Sequence, residues 1–271
     1  MTLVWRPGFM FDADASTYIE AVEAADEAAS PGIGALETNT RYAINNFVIG
    51  CKQDGIWSAI KASCILAGAR TLDGALVPLV GTAPDNFNFV GIGTDYDRVT
   101  GLEGNGTTKH LDSKRADNAD DQNDAHVFIH VTESDTRWNT AVGMIYIGAA
   151  TAGYTSRRTL APYAGQMYTA CQSSVAITGT GLGNAIGGIG ASRSSSAGYD
   201  IRIAGGNSNR TVTSVTPGSS SIYILAENVN GSTTSRSDAR LSFYSIGADL
   251  DLALLDNRVA QLMTDLAAAI P

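Results

Sequence analysis

The chain has 271 residues, 44% of them apolar and 17% charged, a balance that excludes a disordered protein and leaves room for a substantial core. Its formal net charge is −9 and no cluster of Lys and Arg occurs, so no nucleic-acid partner is expected. No apolar window reaches about 18 residues, so neither membrane insertion nor a signal peptide is expected.

Residues 1–53 are predicted to form an N-terminal arm and helices. Trp5, Phe9 and Phe11 make a short apolar terminus suited to docking on a neighbouring subunit. Thr17 and Glu20 have capping-box spacing before Tyr18, Ile19 and Val22, and Ser30-Pro31-Gly32 stops that helix. Thr40, Ile44, Phe47, Val48 and Cys51 share one face of a second helix. After Asp54-Gly55, the residues Ile56, Trp57, Ile60 and Cys64 suggest one more short turn or helix.

From about residue 64 to 247 the period changes to two. In "HVFIHV" Val127, Ile129 and Val131 point one way, Phe128 and His130 the other. The same alternation runs through Val142, Met144 and Tyr146, through Ile222 and Ile224, and through Leu241, Phe243 and Ser245. Polar clusters such as "GGNSNRTVTS" separate the runs. Short strands joined by polar turns predict a mainly β fold, an antiparallel sandwich or jelly roll. Residues 248–271 hold the clearest helix, with Leu252, Leu255, Val259, Leu262 and Leu266 on one stripe and Asp249 placed to cap it. That helix is expected to pack on the sandwich, while Leu252, Leu255 and Val259 would also suit a contact between subunits.

Three stretches carry a resemblance. "TGLEGNGTTKHLDS" before the first regular strands, "DGIWSAIKASCILAGA", and "ARLSFYSIGADLDLALLDNRVAQLM" together resemble the LamG-like (concanavalin A-like) jelly-roll domains of bacteriophage and marine-virus structural proteins. They span roughly residues 54 to 263, with the sandwich itself at 54–247. The resemblance implies a non-enzymatic virion structural protein, made in the host cytoplasm: a tail, baseplate, fibre or capsid-decorating subunit. Its partners would be other virion proteins and further copies of itself as a homo-oligomer. The alternative it implies is a host-surface glycan-binding adhesin, using loops around residues 113–125 and 150–165.

Chemistry is sparse. Gly101, Gly104 and Gly106 are expected to turn the backbone, since no helix N-terminus or Lys-Ser/Thr pair follows to make a phosphate loop. "GTGLGNAIGGIG" (179–190) lacks the strand–turn–helix setting of a dinucleotide fingerprint. Asp117, Asp120, Asp121 and Asp124 are the best calcium candidates, but a solvated loop is the expected reading, since charge runs favour the surface and the glycine and glutamate of an EF-hand loop are missing. No other cofactor is expected. Glu103, Glu133 and Glu227 are isolated, so no acid/base pair for glycan hydrolysis appears. His126 and His130 would share a half-exposed strand face without a third metal ligand. Cys51, Cys64 and Cys171 have no CxxC spacing and fit small buried groups. Trp138, Tyr154 and Tyr163, near strand ends, are the glycan-stacking candidates, with Tyr146 beside them.

Overall fold

Asp12 opens the first helix. Its carboxylate accepts the Asp14 N–H at 3.0 Å, and α1 (Ala13–Ala29) runs to Ser30, just before Pro31. The start lies upstream of the Thr17–Glu20 box, because the Thr17 hydroxyl donates back to the Ala13 carbonyl at 2.9 Å and is used up inside the helix. The computed structural model describes residues 11–174 and 177–271, so Trp5 and Phe9 lie outside the described residues. Phe11 stacks on Tyr42 with ring centroids 5.5 Å apart, which docks it on its own chain.

The second helix, α2 (Thr38–Gln53), buries Thr40, Ile44, Phe47, Val48 and Cys51 as the periodicity requires. A single turn at Trp57–Ala59 follows, as expected, but Ile60 and Cys64 belong to strand β1 (Ile60–Ile65) rather than to a helix. After α3 (Leu72–Ala75) the chain forms β2 (Asp85–Phe87), β3 (Tyr96–Asp97), β4 (Gly101–Glu103), β5 (His110–Ala116) and β6 (Ala125–Glu133). Next come β7 (Ile147–Ala150), β8 (Arg157–Tyr163), β9 (Gln166–Ser173), β10 (Ile177–Leu182), β11 (Gly187–Arg193), β12 (Gly198–Ile203) and β13 (Gly206–Thr211). The last elements are β14 (Ser221–Ile224), β15 (Glu227–Val229), β16 (Ser232–Thr234), β17 (Arg240–Gly247) and α4 (Leu252–Ala269).

Among the described residues these strands build two sheets. One has the order β13-β12-β11-β6-β17-β4-β3, with β1 also on β17; the other has the order β10-β9-β8-β7-β14-β5-β2, with β15 and β16 attached through β7. The named strands pair antiparallel except β15 on β7. Strands far apart in sequence lie side by side, β6 on β17 and β5 on β14, in the manner of a jelly roll. The antiparallel sandwich with N-terminal helices and a C-terminal helix is therefore the observed fold.

The outer face of the first sheet is covered by helices. In β6 every residue from Ala125 to Val131 is buried, because Val127 and Ile129 face the other sheet while Phe128 faces α2 and α4. The expectation of a half-exposed face for His126 and His130 fails for this reason. Glycines make the helix cover possible. A Cβ on Gly188 would lie 2.0 Å from Asp256 Oδ1, and one on Gly190 would lie 2.7 Å from Leu252, so the glycine-rich run accommodates α4. Gly101, with φ +101°, likewise lets β4 approach β17, where a side chain would meet the Leu241 carbonyl at 2.2 Å.

Helix α4 buries the expected stripe of Leu252, Leu255, Val259, Leu262 and Leu266. Leu252, Leu255 and Val259 are thus spent on their own sandwich and do not present a surface to another subunit. The cap is Asp251, which accepts the Ala253 N–H at 2.8 Å; Asp249 instead accepts the Ser192 hydroxyl at 2.6 Å. Asp256 faces the sheet and pairs with Arg202 at 2.7 Å. One further element is shorter than its alternation suggests. Val142 is exposed and β7 begins only at Ile147, with buried Tyr146 accepting the Asp135 N–H at 3.2 Å through its hydroxyl.

Candidate functional site

The aspartate run divides. Asp117 and Asp120 are buried between the sheets against Arg158, whose guanidinium lies 2.8 Å from each carboxylate. Arg115 makes a second ion pair with Asp120. Asp121 and Asp124 point to solvent on the other side of the loop, and Asp124 accepts the Asp249 N–H at 2.7 Å. The four carboxylates therefore do not converge, and among the described residues no group of three or more metal-ligating side chains forms. A buried arginine takes the place that an ion would need, which corrects both the calcium reading and the solvated-loop reading of Asp117 and Asp120.

The histidines and cysteines are equally committed to the interior. The Nδ1–H of His126 donates to the Ala248 carbonyl at 2.5 Å, which leaves Nε2 to accept the Ser245 hydroxyl at 2.7 Å. Burial holds this imidazole down at about 4. Burial pushes the thiols of Cys51 and Cys64 up to about 12, and that of Cys171 to about 11, away from nucleophilic chemistry.

A site does form on the outer face of the second sheet. Strands β8 and β9 make a tight hairpin through Ala164-Gly165, and its register sets Ala161 opposite Tyr168 and Tyr163 opposite Gln166. Leu160 and Met167 face the core, so Arg157, Ala161, Tyr163 and Tyr168 face outward. Tyr154, from the preceding turn, and Glu227, at the start of β15, complete a groove of about 430 Å³. That size lies within the range of small-molecule sites, on the order of 300–1,000 Å³.

Its geometry is well defined. The Arg157 guanidinium lies 3.8 Å from the Tyr154 ring centroid, and its Nη1 donates to the Tyr168 hydroxyl at 3.0 Å. The rings of Tyr163 and Tyr168 are 6.2 Å apart and tilted by 49°. Glu227, 2% exposed, accepts the Thr159 hydroxyl at 2.9 Å. Burial raises its carboxyl above the usual range, against the opposing pull of the Thr159 hydrogen bond and the Arg157 charge. A second cleft, of about 510 Å³, lies beside the start of α4. It is lined by Asp200, Asp249 and Asp251 and has no aromatic platform.

Of the residues singled out in the sequence, Tyr154 and Tyr163 meet in the groove. Trp138 does not line it. Its carbonyl accepts the Gly165 N–H at 3.1 Å, and its ring lies against Gly165, so it supports the hairpin turn from behind. Arg157 and Tyr168 do not stand out in the sequence, and Glu227 reads there only as an isolated carboxylate. The signal of Arg157 and Tyr168 is visible in "RRTLAPYAGQMY": a turn at Ala164-Gly165 with period two on either side places Tyr168 on the face of Arg157 and Ala161. Glu227 had no local signal, because its place depends on β15 folding onto β7.

No family model and no curated protein matches this chain. Solved structures do resemble it. The binding domain of botulinum neurotoxin serotype D aligns with a TM-score of 0.50 at 12% identity, over 75% of this chain and 51% of that one. The NanB sialidase of Streptococcus pneumoniae aligns with a TM-score of 0.40 at 15% identity, over 55% and 26%. Domains LG4-5 of the mouse laminin alpha1 chain align with a TM-score of 0.37 at 13% identity, over 53% and 40%. The chain thus spans about half the length of the neurotoxin domain. The likeness to the neurotoxin domain is one of fold, an antiparallel jelly-roll sandwich. None of the three is named as part of a virus particle.

Proposed function

We propose that this chain is a non-enzymatic carbohydrate-binding module and that the groove of Tyr154, Arg157, Tyr163, Tyr168 and Glu227 is its binding site. The observation that carries the reading is the gathering of three tyrosines and two charged side chains in one groove beside the β8–β9 hairpin. Tyrosine rings stack on the C–H face of a pyranose, while the guanidinium and the carboxylate bind its hydroxyls. The groove has one carboxylate, whereas the usual glycoside hydrolysis needs two, which favours binding over cleavage. The neurotoxin neighbour, a binding domain by name, lends the fold a precedent for this role. A glycan array tests it. Wild type is expected to retain a small set of glycans, Tyr168→Ala is expected to lose them, and silence on the array would sink the reading.

A second reading sets the module in a virus particle, as a subunit that meets other virion proteins and further copies of itself. What favours it is that two of the segments resembling phage structural proteins form a single unit here: β1 pairs with β17, and β17 leads directly into α4. Many copies on one particle would multiply weak single-site affinities. Mass spectrometry of purified particles tests this separately; absence of the chain from them would remove the virion setting and leave the binding reading standing.

A further inference from the structure

We propose that the groove selects sugars bearing a carboxylate, with Arg157 as the residue that reads it, an inference that rests on the carbohydrate reading above. Twelve of the described lysines and arginines are held in ion pairs within the chain; Arg157 is not among them. It is nonetheless fixed in place, stacked on Tyr154 and bound to the Tyr168 hydroxyl, so its direction is set before any ligand arrives. Its Nε is buried and has no hydrogen-bond partner. A carboxylate is present in the same groove, yet Glu227 turns to Thr159 and forms no ion pair with Arg157.

A cation and a carboxylate that share a groove without pairing define what would complete both. The ligand must bring an anion to the guanidinium, hydroxyl donors to Glu227, and an apolar face to Tyr163 or Tyr168. A pyranose acid has all three within one ring. A neutral sugar leaves the guanidinium without its anion, and an acidic peptide offers neither the ring hydroxyls nor the flat C–H face. The planar, forked donor set of arginine suits a carboxylate in particular.

Calorimetric titration with sialyllactose and with oligogalacturonate, each beside its methyl ester, tests the assignment, with lactose and 6-sulfated lactose as further arms. At least one acid is expected to bind roughly tenfold or more tighter than its own ester, since a hydrogen bond to a charged group is at stake. Arg157→Gln is expected to erase that preference with an unchanged melting temperature, and Arg157→Lys to restore part of it. Acids and esters binding alike, lactose binding as well as the acids, or an unaltered preference in Arg157→Gln would overturn the carboxylate inference while the carbohydrate reading stands. Tighter binding of the sulfated arm than of either acid would also overturn it. Silence in every arm would overturn both.

Discussion

Arg158 donates from Nη1 to Asp120 Oδ2 at 2.8 Å in the space between the two sheets, with both side chains out of water. Asp117 closes the cluster on the other side of the guanidinium. Burial by itself would raise the Asp120 carboxyl, but Arg115 and Arg158 hold it below its ordinary value. Replacing Arg158 with Met strands two carboxylates in the interior and is expected to cost about 3–5 kcal/mol. Urea denaturation measures this; a midpoint like that of wild type would show that the cluster does not hold the sandwich together. Adding Asp117→Asn and Asp120→Asn to the same variant is expected to recover part of the loss.

The seat of α4 gives a second test. Gly188→Ala would push Asp256 off Arg202 and is expected to cost about 1–3 kcal/mol, as overpacked sites do. Leu255→Asp places an unpaired charge in the same seam and is expected to cost several kcal/mol, about 3–5. Melting curves equal to wild type for both variants would mean that the helix is only loosely attached.

Acid should weaken the fold in two stages, both of the same sign. His126 titrates at about 4 in the folded chain against about 6.5 when unfolded, so between these values the unfolded state takes up a proton that the folded state refuses. Stability is then complete above pH 6.5 and lower by about 3 kcal/mol at pH 4 from this residue. Glu37 follows: burial would raise its carboxyl, but Arg98 and Arg70 hold it at about 2, and its contribution is lost as pH falls from about 4.5 towards 2. Urea titrations at pH 7 and pH 4.5 check the first stage. Equal stabilities would contradict it, and His126→Gln should flatten the slope.

Much of this architecture was legible in the sequence, because local patterns report burial. The stripe from Leu252 to Leu266 and the alternation in "HVFIHV" mark faces that water must not reach. Misreadings arose where the decisive partner is distant. His126 and His130 look like a half-exposed face until α2 and α4 cover it, and Asp117 and Asp120 look like a surface run until Arg158 enters from another strand. The groove was half visible. Tyr154 and Tyr163 stood out as aromatics near strand ends, whereas Tyr168 needed the hairpin register and Glu227 needed a parallel pairing that no local pattern announces.

In the groove, Tyr168→Ala removes both a stacking surface and the hydroxyl that orients Arg157. Its expected effect is a loss of glycan affinity of roughly tenfold or more, with thermal stability within a few degrees of wild type because the side chain lies on the outer face. Trp138→Ala should behave in the opposite sense, lowering stability by loosening the Ala164-Gly165 turn while disturbing affinity less. Affinity measurements paired with melting curves separate the two; a Trp138 variant that loses binding more than the Tyr168 variant would move the site to the other side of the hairpin.

The most direct measurement is amide hydrogen exchange on the protein with and without the tightest glycan found on the array. Protection is expected in two segments distant in sequence, 154–168 and 227–235, with the loop at 117–124 and the cleft beside α4 unchanged. Protection confined to residues 194–208 and 249–253 would contradict the account, as it would place the ligand among the aspartates instead of the tyrosines.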